Sequence, residues 1–313
     1  MPDLTLQTHE GDGLPPATSA DALSLTIEPL LDRHAPRPRR LSVTVIVAAD
    51  FAAAVDEAYR VGGHDFGPFG AARLGGDVNG KTVPISADHA SARVIIDANW
   101  WTRQSTADAQ RAGLLAHELF HPRLDRLRVE AGSAEHLART VHTPADGARW
   151  SVRNAVDELR CDLAADSVLK QMFTVQTPRG ILPLPLGLLG SEDDNNYLGA
   201  TLDAFDHLHD EWSSLLGQTL TGEQQSLVAR QTGSLLTLLA HAEAEARSLD
   251  APGAFAIPGI AEHPVGTLLH STWQQICDAY DEYAGWQTVA ASDTAIADAG
   301  QEAVLNLWRH FGF

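Results

Sequence analysis

The sequence predicts an α+β protein, mainly α, and three observations carry that expectation. Two short β-branched runs, 41–47 and 93–97, read as strands of a small sheet. The long segments 106–121 and 154–172, and four more beyond residue 197, read as helices. Between these groups, 177–196 is rich in proline and glycine and ends in the acidic tip Glu192-Asp193-Asp194, which reads as a domain boundary. The expected organisation is a flexible N-terminal arm over 1–40, a mixed domain over 41–175, a linker over 176–196 and a helical domain over 197–313.

The arm is expected because 1–40 is rich in Pro, Asp, Thr and Ala, with one short apolar stretch near Leu23. The first strand alternates Val43, Val45 and Val47 with Ser42, Thr44 and Ile46, and Asp50 is placed to cap the helix after it. Glycine-rich 62–82 reads as loop or hairpin. In the C-terminal part, helical patterns run over 197–216, 222–249, 266–283 and 296–310.

Charge excludes some classes of partner. A formal net charge of -19 opposes tight binding to nucleic acid or an anionic membrane surface, so neither is expected as a partner. No apolar run approaches the roughly 20 residues that a membrane span requires. Cys161 and Cys277 do not read as a disulfide framework, and the N-terminus lacks an apolar signal core, so a cytoplasmic protein is expected.

The chemistry concentrates in His117-Glu118-Leu119-Phe120-His121, an H-E-x-x-H run at the end of a helical pattern. Residues four apart share a helix face, so both imidazoles reach one metal ion, and Glu118 is offset toward a water. Imidazole and carboxylate ligands with one open position suit zinc, one ion per chain. Pro122 is expected to end or kink this helix directly after His121. Leucines at 124 and 127 exclude a third ligand in the tight continuation of the motif. The next helix offers one instead: Glu158 as third ligand, with Asp162 one turn later to accept the second ring N–H of a ligand histidine. Glu118 is then the general base of a zinc-dependent peptidase.

Together, His117-Glu118-Leu119-Phe120-His121 and Glu158-Leu159-Arg160-Cys161-Asp162 resemble the gluzincin metallopeptidases, most closely the soluble ImmA/IrrE-type peptidases. The resemblance implies a zincin-like catalytic domain with a small sheet and an H-E-x-x-H active-site helix. It also implies an edge strand above that helix that holds a peptide or protein substrate extended. Val94, Ile95 and Ile96 are expected to form that strand. An oxyanion donor is expected, and the sequence does not name it: His142, His207, His209, His263 and Tyr197 are conceivable donors, each read first as an ordinary surface or core residue, and Trp100-Trp101 is expected either in a substrate groove or in the core. The alternative function is a catalytically silent, zinc-stabilised regulatory or protein-binding module. Retention of Glu118 argues for the enzyme, because structural zinc needs no general base.

Overall fold

The computed structural model describes residues 18–74, 76–133, 137, 142–178, 180–189, 197–284 and 289–313. It is 63% helix and 11% strand, an α+β chain that is mainly helical.

Helix α1, Thr18–Leu31, occupies part of the stretch expected as a flexible arm. Ala20, Ser24, Ile27 and Leu31 form one buried face at helical spacing. Strand β1, Ser42–Ala48, buries Val43, Val45 and Val47 on one face, and helix α2, Phe51–Val61, starts at Asp50, whose carboxylate accepts from the N–H of Ala53. The glycine-rich stretch supplies a small hairpin, β2 (Ala72–Arg73) and β3 (Gly76–Asp77), then strand β4, Gly80–Pro84. Strand β5, Ser91–Asp97, leads through the short helix α3, Ala98–Trp101, into helix α4, Asp108–Glu130.

The three-stranded sheet has the order β1-β5-β4, with β5 parallel to β1 and antiparallel to β4. This overturns the expectation that Val94, Ile95 and Ile96 form an edge strand. All three are fully buried in the central strand, bonded on both sides, and β1 and β4 are the two outer strands. Helix α2 packs on the sheet through Phe51, Val55 and Ala58, against Val83 and Ile95.

Helix α4 corrects a second expectation, since it runs eight residues beyond Pro122 instead of ending there. Proline lacks the N–H that would bond the carbonyl of residue 118, four positions earlier. Thr82 of β4 replaces that donor, its Oγ1 lying 2.8 Å from the Glu118 backbone oxygen. Beyond the proline, the buried Arg123 pairs with Glu28 and Asp32 and ties α1 to α4.

Helix α5, Pro144–Met172, begins ten residues before the expected start. Its first turn is closed by a reciprocal pair, the Asp146 N–H donating to Thr143 Oγ1 and the Thr143 N–H donating to the Asp146 carboxylate. Where a linker was expected, β6 (Thr174–Thr177) and β7 (Gly180–Pro183) form an antiparallel hairpin, followed by a 3-10 turn at Leu186–Leu188. The acidic tip Glu192–Asp194 and the first 17 residues of the expected arm lie outside the described residues.

Four further helices follow: α6 (Tyr197–Leu215), α7 (Gly222–Ser248), α8 (Pro264–Tyr283) and α9 (Val289–Arg309). Their buried tryptophans each carry a hydrogen bond: Trp212 donates to Gln231, Trp273 to Glu243 and Trp308 to Thr232. The chain divides into two compact units, Met1–Leu137 with Cys161–Pro185, and Ala138–Arg160 with Leu186–Phe313. Helix α5 is continuous through the division.

Candidate metal centre

Two helices supply the site. On α4, apolar Leu115, Ala116, Leu119 and Phe120 anchor the helix in the core, which leaves His117 and Glu118 buried and His121 partly buried. On α5, Leu159, Cys161, Ala164 and Ala165 do the same around Glu158 and Asp162.

His117 Nδ1 lies 2.7 Å from Asp162 Oδ1, and both side chains are buried. An ionised carboxylate only accepts, so Nδ1 carries the proton and the lone pair of His117 is on Nε2. That Nε2 lies 3.1 Å from the Nε2 of His121. Two nitrogens bound to one tetrahedral zinc stand about 3.3 Å apart, given bonds near 2.0–2.1 Å, so the pair has the spacing of co-ligands. One atom each from His117, His121 and Glu158 falls within 4.8 Å of the other two, and this is the group among the described residues that could hold a metal ion. The donor set of two imidazoles and one carboxylate fits zinc with a position left open.

Glu118 is not part of that group. Its carboxylate Oε2 accepts from Thr82 Oγ1 at 2.7 Å, and a Cβ placed on Gly80 would come within 2.9 Å of its Oε1. The general base proposed from sequence therefore faces β4, an outer strand. Glu158 has a different neighbour, His241 of α7, whose Nε2 lies 3.9 Å from Glu158 Oε2. The ring of Tyr197 stacks on His241 at 4.3 Å between centroids, and the N–H groups of Tyr197 and Leu198 donate to Glu245, one turn after His241.

The remaining sequence candidates take other roles. His142 donates its backbone N–H to Asp146 at the start of α5. His209 and His263 face each other edge to face at 5.7 Å, with His263 also 3.2 Å from Asp206, and His263 accepts from the Val265 N–H at the start of α8. His207 is exposed on α6. Trp101 is buried, with Arg111 over its ring and bonded to its carbonyl, so it packs the core.

Thr82, Gly80 and His241 were not singled out from sequence. Pro122 was the available signal for Thr82, because a proline inside a buried helix demands an outside donor for the carbonyl four residues back. His241 carried no motif. No family model, curated protein or solved structure matches the chain.

Proposed function

We propose that the chain is a zinc-dependent peptidase of zincin-like design, with His117, His121 and Glu158 holding one zinc ion and Glu118 as general base. The observation that carries this reading is the facing pair of Nε2 atoms, with Asp162 behind the first ring and Glu158 in reach of both. Zinc held there supplies a Lewis acid for the scissile carbonyl and for the attacking water. Asp162 fixes the tautomer and orientation of His117. Glu118 accepts a proton from the attacking water and returns it to the leaving amine, which asks for a carboxylate near the ligands but not among them.

The substrate is a peptide or protein segment bound in extended form along β4. Of the two outer strands of the sheet, β4 is the one that meets Glu118, through Thr82 and Gly80. Main-chain pairing with such a strand supplies affinity, while side-chain pockets supply selectivity. No described helix is long and apolar enough to cross a membrane, and Cys161 and Cys277 are buried thiols, which fit a reducing compartment; the proposed location is the cytoplasm.

The test is zinc content and cleavage on the same sample. Purified protein should carry about one zinc per chain after mild dialysis and cleave members of a peptide library, with cleavage lost to a chelator and regained with zinc. Folded protein that neither holds nor regains zinc would end this reading.

A further inference from the structure

We infer that Thr82 is a positioning residue for Glu118, and that Pro122 is part of the same device; the inference rests on the peptidase reading above. Thr82 Oγ1 lies 2.7 Å from Glu118 Oε2 and 2.8 Å from the Glu118 backbone oxygen. A threonine hydroxyl has one proton, so the side-chain and main-chain oxygens of one residue share a single donor. In an uninterrupted helix the main-chain oxygen would be bonded by the N–H of residue 122. Pro122 has none, so that oxygen is left for Thr82.

The consequence is geometric. A carboxylate on a helix samples several rotamers unless something holds it. Thr82 sits in the antiparallel ladder opposite Val94, so its hydroxyl is delivered from a fixed backbone. Two residues earlier on the same face, Gly80 closes the other side, since a Cβ there would meet both the Glu118 carboxylate and Leu114. Glu118 is bracketed by β4: one oxygen is bonded, and the other rests against a glycine that leaves just enough room. The strand proposed to hold the substrate also fixes the general base.

Three variants test this. Thr82→Val keeps the branched shape and removes the donor. It should lower kcat by about 10- to 100-fold with KM and zinc content near the parent values. Thr82→Ser should restore kcat to within a fewfold of the parent. Thr82→Val also leaves the Glu118 carbonyl buried without its donor, so its melting temperature should fall. Adding Pro122→Ala supplies an N–H at position 122, so the double variant, compared with Pro122→Ala alone, should recover melting temperature without recovering kcat. Crystal structures of zinc-loaded parent and Thr82→Val give a readout independent of turnover: the Glu118 carboxylate should leave its single position in the variant. Parent-like kcat in Thr82→Val, or kcat recovered together with stability in the double variant, would overturn the positioning role. If the zinc-loaded parent cleaves nothing, the peptidase reading falls, and an unmoved Glu118 carboxylate in the Thr82→Val crystal would then sink the positioning role separately.

Discussion

The two glutamates of the site have opposite surroundings, although each lies on a long helix beside a histidine. Glu118 is turned to the sheet, bonded by Thr82 and crowded by Gly80. Glu158 belongs to the group formed with His117 and His121, and has His241 beside it. Side-chain chemistry is identical in the two cases, so the division of labour we propose rests on what the neighbouring elements present: a strand hydroxyl at Glu118, and an imidazole beside Glu158. Changes on the β4 side should therefore reach turnover and spare zinc, and changes on the α5 side should reach zinc first.

The largest effect short of the glutamates themselves is expected at Asp162. Its carboxylate holds His117 in the tautomer that, in the proposed site, would direct Nε2 to zinc, so Asp162→Ala should weaken zinc affinity or activity by about 10- to 100-fold. Competition with a zinc chelator measures this, and parent-like affinity and turnover would reduce Asp162 to a packing role. Gly80→Ala probes the opposite side. The added methyl must displace the Glu118 carboxylate or Leu114, so cleavage should fall by about 10-fold while zinc content stays at the parent level. Zinc lost from Gly80→Ala would break the comparison.

The smallest effect concerns α4 as a scaffold. His34 packs edge-on against Phe120, within the motif, and burial, followed by the nearby Arg33, lowers its pKa. Below the ordinary histidine value near 6.5, the unfolded chain takes up a proton that the folded chain resists. Stability is therefore fully present above that value and declines as pH falls through it toward the lowered folded value. Melting temperatures at about pH 7.5 and about pH 5.5 should differ less in His34→Gln than in the parent. An unchanged difference would assign the acid sensitivity elsewhere.

The grouping of the candidate site's side chains was legible in the sequence as far as helix periodicity alone decides it. The spacings of His117 with His121, and of Glu158 with Asp162, put each pair on one face whatever the tertiary structure. The strand roles were not legible, because edge and centre are properties of pairing. Arg93–Asp97 has strong strand-forming residues, and its consecutive Val94, Ile95 and Ile96 are the mark of a strand covered on both faces. Outer strand β4 reads Gly-Lys-Thr-Val-Pro, a weak pattern that passes for loop, and glycine, lysine and proline are what outer strands tolerate. The early start of α5 was hidden by Gly147, which lowers helix propensity where the Thr143–Asp146 pair compensates. Continuation of α4 past Pro122 depended on Thr82, on a strand far back in the sequence, which no local pattern reveals.

The most direct measurement compares Glu118→Gln with Glu158→Ala for zinc content and peptide cleavage in the same preparations. The amide in Glu118→Gln keeps the shape and the bond from Thr82 but accepts no proton, so this variant should hold about one zinc per chain, stay folded and cleave nothing. Glu158→Ala should lose most of its zinc and its cleavage with it. Zinc lost from Glu118→Gln and retained by Glu158→Ala would reverse the two roles, and full cleavage by either variant would contradict the mechanism.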